Sequence, residues 1–465
     1  MEAKLKEFIE ALKEFAMESE AEIYIVGGYI RDRLLDPKIK PKDIDFVYSG
    51  PIYDLIKKMQ NRGYRFYEVK EEAGIYGTVI SDLHIDISKM KGDSIKEDLL
   101  KRDFTINANA LNLVDMKIID AFKGKRAIES RILQEVSESS LKDDPIRILR
   151  GMRFYIKYGF HFSLHTEESV VKYAHMLKQC ASQRVFNELM NIIQWDTNGS
   201  AFELLDSYHI LENIIPYINE LKAIGKCKNH LEDTFTHMNL TYKTCKEFMT
   251  GIIKIKNYNL CELDEIIGNF SMKEYIAFSC FTQDIGKYFC YEEKGEMISF
   301  DNHEKAGAEI MEQKCRELKF PKEALKLVVC LIRNHMEPVE LFKMRQECTF
   351  NKRLYDFFHL NSRYVPFILI ASYCDIYASM MINDSWDEKN SFAQFVEELL
   401  IKFSKYTDII RNKWIDGNFI MENTNSKGQE IGYIVNEVNQ LIFSGVIKNK
   451  NESEEYILSN YNKIY

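Results

Sequence analysis

Ile23-Tyr-Ile-Val-Gly-Gly-Tyr-Ile-Arg-Asp32, followed by Asp43-Ile-Asp45, is the stretch that decides how this chain is read. Successive side chains of a strand point to opposite faces, so Asp43 and Asp45 share one face and Ile44 takes the other. Two carboxylates that close repel unless a cation lies between them. A hard cation such as Mg²⁺ accepts one or two carboxylates and completes its shell with phosphate oxygens. Upstream, the apolar run from Ile23 to Val26 leads through Gly27-Gly28 into a helix-forming segment. Such a glycine turn lets backbone N–H groups approach a phosphate closely. Alone, a paired glycine is an ordinary tight turn and Asp-x-Asp an ordinary solvated pair. Their order and spacing together point to metal-assisted nucleotidyl transfer.

The rest of the chain is compatible with that chemistry. Its 465 residues suggest about three folded units at roughly 150 residues each. A hydrophobic fraction of 46% is ample for packed cores. No apolar run approaches the roughly 18 residues that span a bilayer, and the first residues lack a signal-peptide layout. Ten cysteines without a Cys-x-x-Cys pair fit reduced thiols rather than a disulfide framework. The expectation is a cytoplasmic protein. The net charge of −9 disfavours a nucleic-acid partner at first sight, but the acidity is uneven. Residues 1–200 carry 31 basic and 32 acidic side chains, leaving 31 and 39 for the remainder; residues 101–200 are locally basic, 15 against 12. An RNA site needs a basic face, not a basic whole.

Periodicity divides the chain in two. Residues 1–18 read as an amphipathic helix, with Leu5, Phe8, Ile9, Leu12, Phe15 and Ala16 at helical spacing. Strands are expected at 23–26, 43–48, 78–81, 84–87 and 110–113, interleaved with helices near 29–35 and 53–61. From Pro145 onward the apolar spacing is almost wholly helical. The fold class is thus a small α/β head followed by a long helical remainder.

Two further segments carry chemistry. In Lys101-Arg-Asp-Phe-Thr-Ile-Asn-Ala108, Arg102 can neutralise phosphates and Asn107 can bond a sugar hydroxyl. The bland alternative is a charged helix end before a core segment. In Asp143-Asp144-Pro145-Ile-Arg147-Ile-Leu-Arg150-Gly-Met-Arg153-Phe154, Asp144 reads as a helix N-cap with proline at the first helical position. Arg147, Arg150 and Arg153 then lie opposite an apolar stripe. Asp144 and Arg147 are three apart, so their side chains can meet. As a pair they match cytosine and adenine, which both offer an amino donor beside a ring-nitrogen acceptor, and they reject guanine and uracil.

With these motifs in order, the chain resembles the class II tRNA nucleotidyltransferases, the CCA-adding family that shares its head with bacterial poly(A) polymerases. The motifs are Val26-Gly-Gly-x-x-Arg-Asp32 with Asp43-x-Asp45, Lys101 to Ala108, Asp143-Asp-x-x-Arg147 with the arginines that follow, and Gln183-Arg184-Val-x-x-Glu188. Gly417 to Met421, Gly428-x-Glu-Ile-Gly432 and Gly445 to Asn449 resemble the closing segment of long bacterial members. The resemblance implies a polymerase-beta-like nucleotidyltransferase head at 1–130, an all-α neck at 131–225, an HD-like body at 226–345 and a helical tRNA-binding tail at 346–465. It implies two Mg²⁺ ions on Asp43 and Asp45, with Asp86 as a third catalytic carboxylate. It places nucleotide binding on Gly27, Gly28, Arg31, Asp32, Arg102, Asp103, Asn107, Asp143, Asp144, Arg147, Arg150, Arg153 and Arg184. Partners would be tRNA, CTP and ATP.

Two departures qualify the resemblance. The segment between Asp86 and Lys101 is short where many CCA-adding relatives have a long flexible loop, and a short version resembles the CC-adding branch. His237, Asp284, His303 and His335 match HD phosphohydrolase ligands, but Gln283 stands where the paired histidine belongs. Glutamine is a poor ligand for a transition metal, so the expectation is a body kept for shape and tRNA contact. Two other functions compete: a poly(A) polymerase, and a non-catalytic RNA-binding protein with a relic site.

Overall fold

The computed structural model describes residues 2–70, 74–226, 231–294, 297–379 and 386–461. The chain forms two compact units, one of Met1–Trp195 with Leu205–Ile214, the other of Asp196–Leu204 with Ile215–Tyr465.

The first unit is built on a seven-stranded sheet. Its strands are β1 (Ile23–Val26), β2 (Asp43–Tyr48), β3 (Tyr67–Lys70), β4 (Ile75–Ile80), β5 (Leu83–Lys89), β6 (Ala110–Asn112) and β7 (Ile118–Ile119), in the spatial order β3-β4-β5-β2-β1-β6-β7. Helices α1 (Glu2–Glu18), α2 (Gly28–Leu35) and α3 (Ile52–Asn61) accompany them. Strand alternation explains the layering. Ile23 and Ile25 of β1, Ile44, Phe46 and Tyr48 of β2, and Ile85 and Ile87 of β5 join one core with Phe8, Leu12 and Phe15 of α1. The ring of Phe8 meets Tyr64 edge-on at 4.9 Å, and burying such a side chain contributes about 2 kcal/mol. Tyr24, Val26 and Val47 face the other way with Ala110 of β6 and pack with Ile95, Leu99 and Ala108. Asp43 and Asp45 lie on this second face, at the end of β2 where the apolar cover stops.

Register sets the neighbours of those carboxylates. β1 runs antiparallel to β2 with Val26 opposite Asp45, and β5 runs parallel to β2 with Asp86 opposite Asp45. The expected strands are all present, and β4 and β5 extend further than expected. β3 and the two-residue β7 were not anticipated, because neither has an apolar alternation long enough to read.

After the sheet the first unit turns helical, with Ile146–Tyr158 and Ser182–Trp195 as its main helices. The second unit is helical apart from two short hairpins, Ile266–Ile267 with Phe270–Ser271 and Glu292–Lys294 with Met297–Ser299. Its centre holds Met272–Thr282 and Val365–Ala378, helices buried on nearly every side. Among the described residues, no helix is long and apolar enough to cross a membrane.

Candidate active site

At the end of β1 the backbone turns through Gly27 at a φ of 72° into α2. A Cβ there would stand 3.1 Å from Arg102 Nη1 and 3.3 Å from Asp45 Oδ2. The left-handed backbone calls for glycine, and a side chain there would also crowd a carboxylate and a guanidinium. Gly27, Gly28, Arg31, Asp43, Asp45, Arg102, Asp103, Asn107, Asp144, Arg147, Arg150, Arg153 and Arg184 all line one cleft of about 390 Å³. Residues from five separate sequence segments thus share a single concavity.

The charges in it are out of balance in a way that invites ligands. Asp45 sits deep in the cleft, still reached by solvent; the protein around it displaces enough water to push its carboxyl up to about 6, and the Asp43 charge adds to this. Asp86 is raised by the same two causes in the same order. A divalent cation would relieve both. The three carboxylates are not drawn together tightly enough for their oxygens to lie within 4.8 Å of one another, as three other groups among the described residues are. Close to Asp45, Arg102 gives Nη2 to Asp98 at 3.2 Å, while its buried Nε has no hydrogen-bond partner. A buried donor left unpaired is costly, and a phosphate oxygen would satisfy it. The donor set therefore fits a cation-bound triphosphate. One consequence is measurable. Cation and proton compete for Asp45, so the apparent affinity for Mg²⁺ should fall about tenfold between pH 7 and pH 5, read from the shift in thermal midpoint on titrating Mg²⁺.

Beside the cleft, Asp103 is buried and accepts from its neighbour's Phe104 N–H, from Asn107 Nδ2 at 2.9 Å and from Arg150 Nε at 2.9 Å. Burial opposes its charge, but Arg150 and these hydrogen bonds hold it down at about 2. Asn107 also accepts from Arg31 Nη1 at 2.8 Å, so its amide braces the cleft rather than waiting free for a sugar hydroxyl. Arg31 stacks over Phe154 and Tyr158 and pairs with Asp32. Asp103→Asn should lower unfolding stability by about 3 kcal/mol at pH 7, the low end for a broken buried pair because Arg150 is 37% exposed. Since the folded value lies below the ordinary one, that contribution is complete above about pH 4 and is lost as the pH falls toward 2. Urea unfolding of both forms at pH 7 and pH 3 measures it.

The helix Ile146–Tyr158 differs from expectation at its start. The Asp144 side chain caps nothing: Pro145 precedes the first helical residue, and no side chain caps the helix, although the Asp144 carbonyl accepts from Arg147 N–H at 3.0 Å. The Asp144 carboxylate is instead held by Arg184, with Nη1 at 3.0 Å and Nη2 at 2.7 Å. A paired guanidinium outcompetes a backbone N–H for a carboxylate. Asp144 and Arg147 lie 3.9 Å apart, a loose pairing. Arg147 donates to the carbonyls of Lys101 and Arg102 and to Ser140 Oγ, at 2.6, 3.0 and 2.8 Å. Arg153 pairs with Glu188 at 2.7 Å. Asp32 and Asp143 do not line the cleft; Asp32 is bonded by Arg31 and Tyr158, and Asp143 is exposed and bonded by Ser139. Asp86 does not line the cleft either; it lies opposite Asp45 on the neighbouring strand β5. Ser140 and Glu188 were assigned no role from the sequence, although Glu188 stands in a motif that was quoted. The segment after Asp86 is a strand end, a turn and the short helix Ile95–Leu100, capped by Ser94.

The second unit holds its own polar cluster, lining a cleft of about 780 Å³ with His237, Asp284, His303 and Asp375. His237 Nε2 lies 2.8 Å from Asp375 and 3.4 Å from Asp284. His303 Nε2 lies 3.3 Å from Asp284 and 3.2 Å from His335 Nε2. Burial would depress His237, but Asp375 and Glu232 raise it to about 9. Gln283 donates to Asp375, and Lys287 pairs with Asp284. Asp284, His303 and His335, and equally His237, Asp284 and Asp375, converge closely enough to hold a metal ion. That convergence is tighter than a shape-only body requires. Asp375 was missed, though a lone carboxylate in the apolar run of Val365–Ala378 was a signal that could have found it.

Comparison with known proteins gives this geometry a family. Residues 23–134 match the Poly A polymerase head domain, and residues 159–222 match the probable RNA and SrmB-binding site of polymerase A. The chain is 28% identical over 353 residues to the multifunctional CCA protein of Hahella chejuensis, covering 70% of this chain and 76% of that one. The chain belongs to the class II tRNA nucleotidyltransferase family. As such it is a nucleotidyltransferase, and the relic-site reading falls away. The A-adding tRNA nucleotidyltransferase of Aquifex aeolicus is 33% identical over 211 residues, 41% of this chain and 25% of that protein. In structure, the chain is similar to the Thermotoga maritima CCA-adding enzyme solved with tRNA, with a TM-score of 0.65, 18% identity and coverage of 98% of this chain and 95% of that one. At that identity the likeness speaks for the fold: a polymerase-beta-like head followed by helical segments.

Proposed function

We propose that this chain builds the 3′ end of tRNA, adding C and then A from CTP and ATP without a nucleic-acid template. The observation that carries the reading is the meeting of Asp45, Gly27 and Arg102 in one cleft, where a carboxylate pair awaits a cation and an unpaired guanidinium nitrogen awaits a phosphate. Asp43 and Asp45 would hold two Mg²⁺ ions, which supply charge neutralisation at the triphosphate and activation of the tRNA 3′-hydroxyl. Arg102 orients the triphosphate, and the turn at Gly27 leaves room for it. Asp144 and Arg147 read the base, once the incoming nucleotide competes with Arg184 and the backbone carbonyls for their hydrogen bonds. Catalysis of this kind is positioning and charge neutralisation, since the protein does little covalent chemistry itself. In this reading the head spans 1–130, the neck 131–225, the body 226–345 and the tail 346–465, and the enzyme works in the cytoplasm.

A second reading has one observation behind it. The segment between Asp86 and Lys101 is short and hydrogen-bonded, with Asp98 tied to both Lys91 and Arg102. An enzyme without a flexible loop there would add CC and stop. Incubating the protein with tRNA lacking its 3′ end, supplied with CTP alone, ATP alone or both, decides between them. Growth by three nucleotides with both supports CCA addition, and growth by two that halts despite ATP supports CC addition. A single A on tRNA ending in CC marks an A-adding enzyme, and long A tails mark a poly(A) polymerase.

A further inference from the structure

Four of the cysteines among the described residues are buried, and three of those four meet. Cys245 comes from the helix Thr234–Met249, Cys280 from Met272–Thr282 and Cys374 from Val365–Ala378, three helices that pack on one another in the second unit. All three side chains are fully enclosed, and their sulfurs lie within 4.8 Å of one another. Cys315 is as deeply buried but stands in no such group among the described residues.

A buried cysteine ordinarily serves as a small apolar residue, and that use sets no requirement on where other sulfurs lie. Here three helices far apart in sequence bring their sulfurs to one point. The spacing suits a coordination shell: three sulfurs about 2.3 Å from one ion in a trigonal plane stand about 4.0 Å apart. The ligand set is thiol alone, which selects soft cations over hard ones such as Mg²⁺. Two neighbours favour an ion as well. Lys246, next in the chain to Cys245, places positive charge beside the sulfurs and favours the thiolate form that a metal requires. Thr241 lies one turn before Cys245 on the same helix face, is fully buried, and its hydroxyl has no hydrogen-bond partner. A metal-bound ligand takes hydrogen bonds from donors around it, so this unspent hydroxyl acquires a partner when the site is filled.

We propose that Cys245, Cys280 and Cys374 form a three-thiolate site for a thiophilic metal ion, Zn²⁺ or Cu(I), separate from the nucleotidyl-transfer cleft and using none of the ligands of the histidine–aspartate cluster. Each sulfur coordinates as a thiolate and releases its proton to solvent on binding. The ion ties together the helices that carry His237 and Asp375 and the one that ends beside Asp284, and so braces that cluster.

The test uses the full-length protein, purified with a reductant and stripped of metal with a chelator. It is brought to equilibrium with Cd²⁺, a thiophilic stand-in for Zn²⁺, or with Cu(I), and freed of loosely held metal by gel filtration. The wild type retains one more ion per chain than Cys245→Ala or Cys374→Ala, and gains a sulfur-to-metal charge-transfer absorption that both variants reduce. Its thermal midpoint rises by about 5 °C at a hundredfold excess over the dissociation constant, a rise the two variants lack. Cys315→Ala, which removes an equally buried thiol, behaves as the wild type does. The arm with the larger midpoint shift tells a divalent from a monovalent site. Equal uptake and absorption in the wild type and both folded variants overturns the proposal and leaves the three thiols as packing, as does a wild type that retains no ion. X-ray absorption of the loaded wild type decides even where a variant fails to fold: three sulfur ligands at about 2.3 Å support the site, and fewer overturn it.

Discussion

Asp45→Asn should reduce nucleotide incorporation by about three orders of magnitude or more while leaving the thermal midpoint unchanged or slightly raised. The two halves of this expectation come from the same geometry. Asp45 lies on the polar face of β2, with Asp43 two residues away and Asp86 beside it in register. Loss of a metal-holding carboxylate removes several kcal/mol of transition-state charge stabilisation, and about 4 kcal/mol corresponds to a thousandfold. The folded protein, by contrast, pushes the Asp45 carboxyl up to about 6, chiefly by burial and then by the Asp43 charge. A raised carboxyl means that the ionised form opposes folding, an effect that begins above pH 4 and is complete above pH 6. Replacing it with a neutral amide of the same shape removes that opposition. Incorporation into tRNA and thermal unfolding at pH 7.5, without metal, measure the two halves separately. Retained turnover in the variant would sink the cation-holding role, and a large fall in midpoint would show that Asp45 serves the fold.

That residue also shows why the head could be read from sequence. A strand's two-residue period, a glycine turn and the next strand are all local, so the face carrying Asp43 and Asp45 follows from spacing alone. The apolar partners Ile44 and Phe46 enforced the same answer by their burial against α1. What spacing cannot supply is the far partner of a polar group. Asp144 looked like a cap because proline followed it, yet a guanidinium forty residues away claimed its oxygens. Arg147 looked like its free companion, but its donors are spent on carbonyls of another segment. Asp375 joins His237 across 138 residues, a separation at which no periodicity carries information. The apolar helices of the second unit were legible as helices. Which of their few polar residues would face each other was decided by packing.

Asp144→Asn should relax the choice of CTP over UTP by about tenfold to a hundredfold, corresponding to roughly 1–3 kcal/mol of lost discrimination. Cytosine offers an amino donor where uracil offers a carbonyl, so a carboxylate accepts from the first and repels the second. An asparagine can rotate to present either its oxygen or its NH₂, and the penalty against uracil disappears. This variant is cleaner than Arg147→Ala, whose guanidinium also ties the Lys101 and Arg102 carbonyls to Ser140. Removing that tie should cost stability as well as selectivity, because partly buried acceptors would be left unpaired. The bidentate hold of Arg184 on Asp144 weakens in the asparagine variant, since the charge that shortened those bonds is gone. The carboxamide is therefore freer to turn, which enlarges the loss of discrimination. Single-nucleotide incorporation with CTP and UTP, each at several concentrations, gives the ratio of kcat/KM for the two. A ratio equal to that of the wild type would remove Asp144 from base recognition and leave it as Arg184's partner alone.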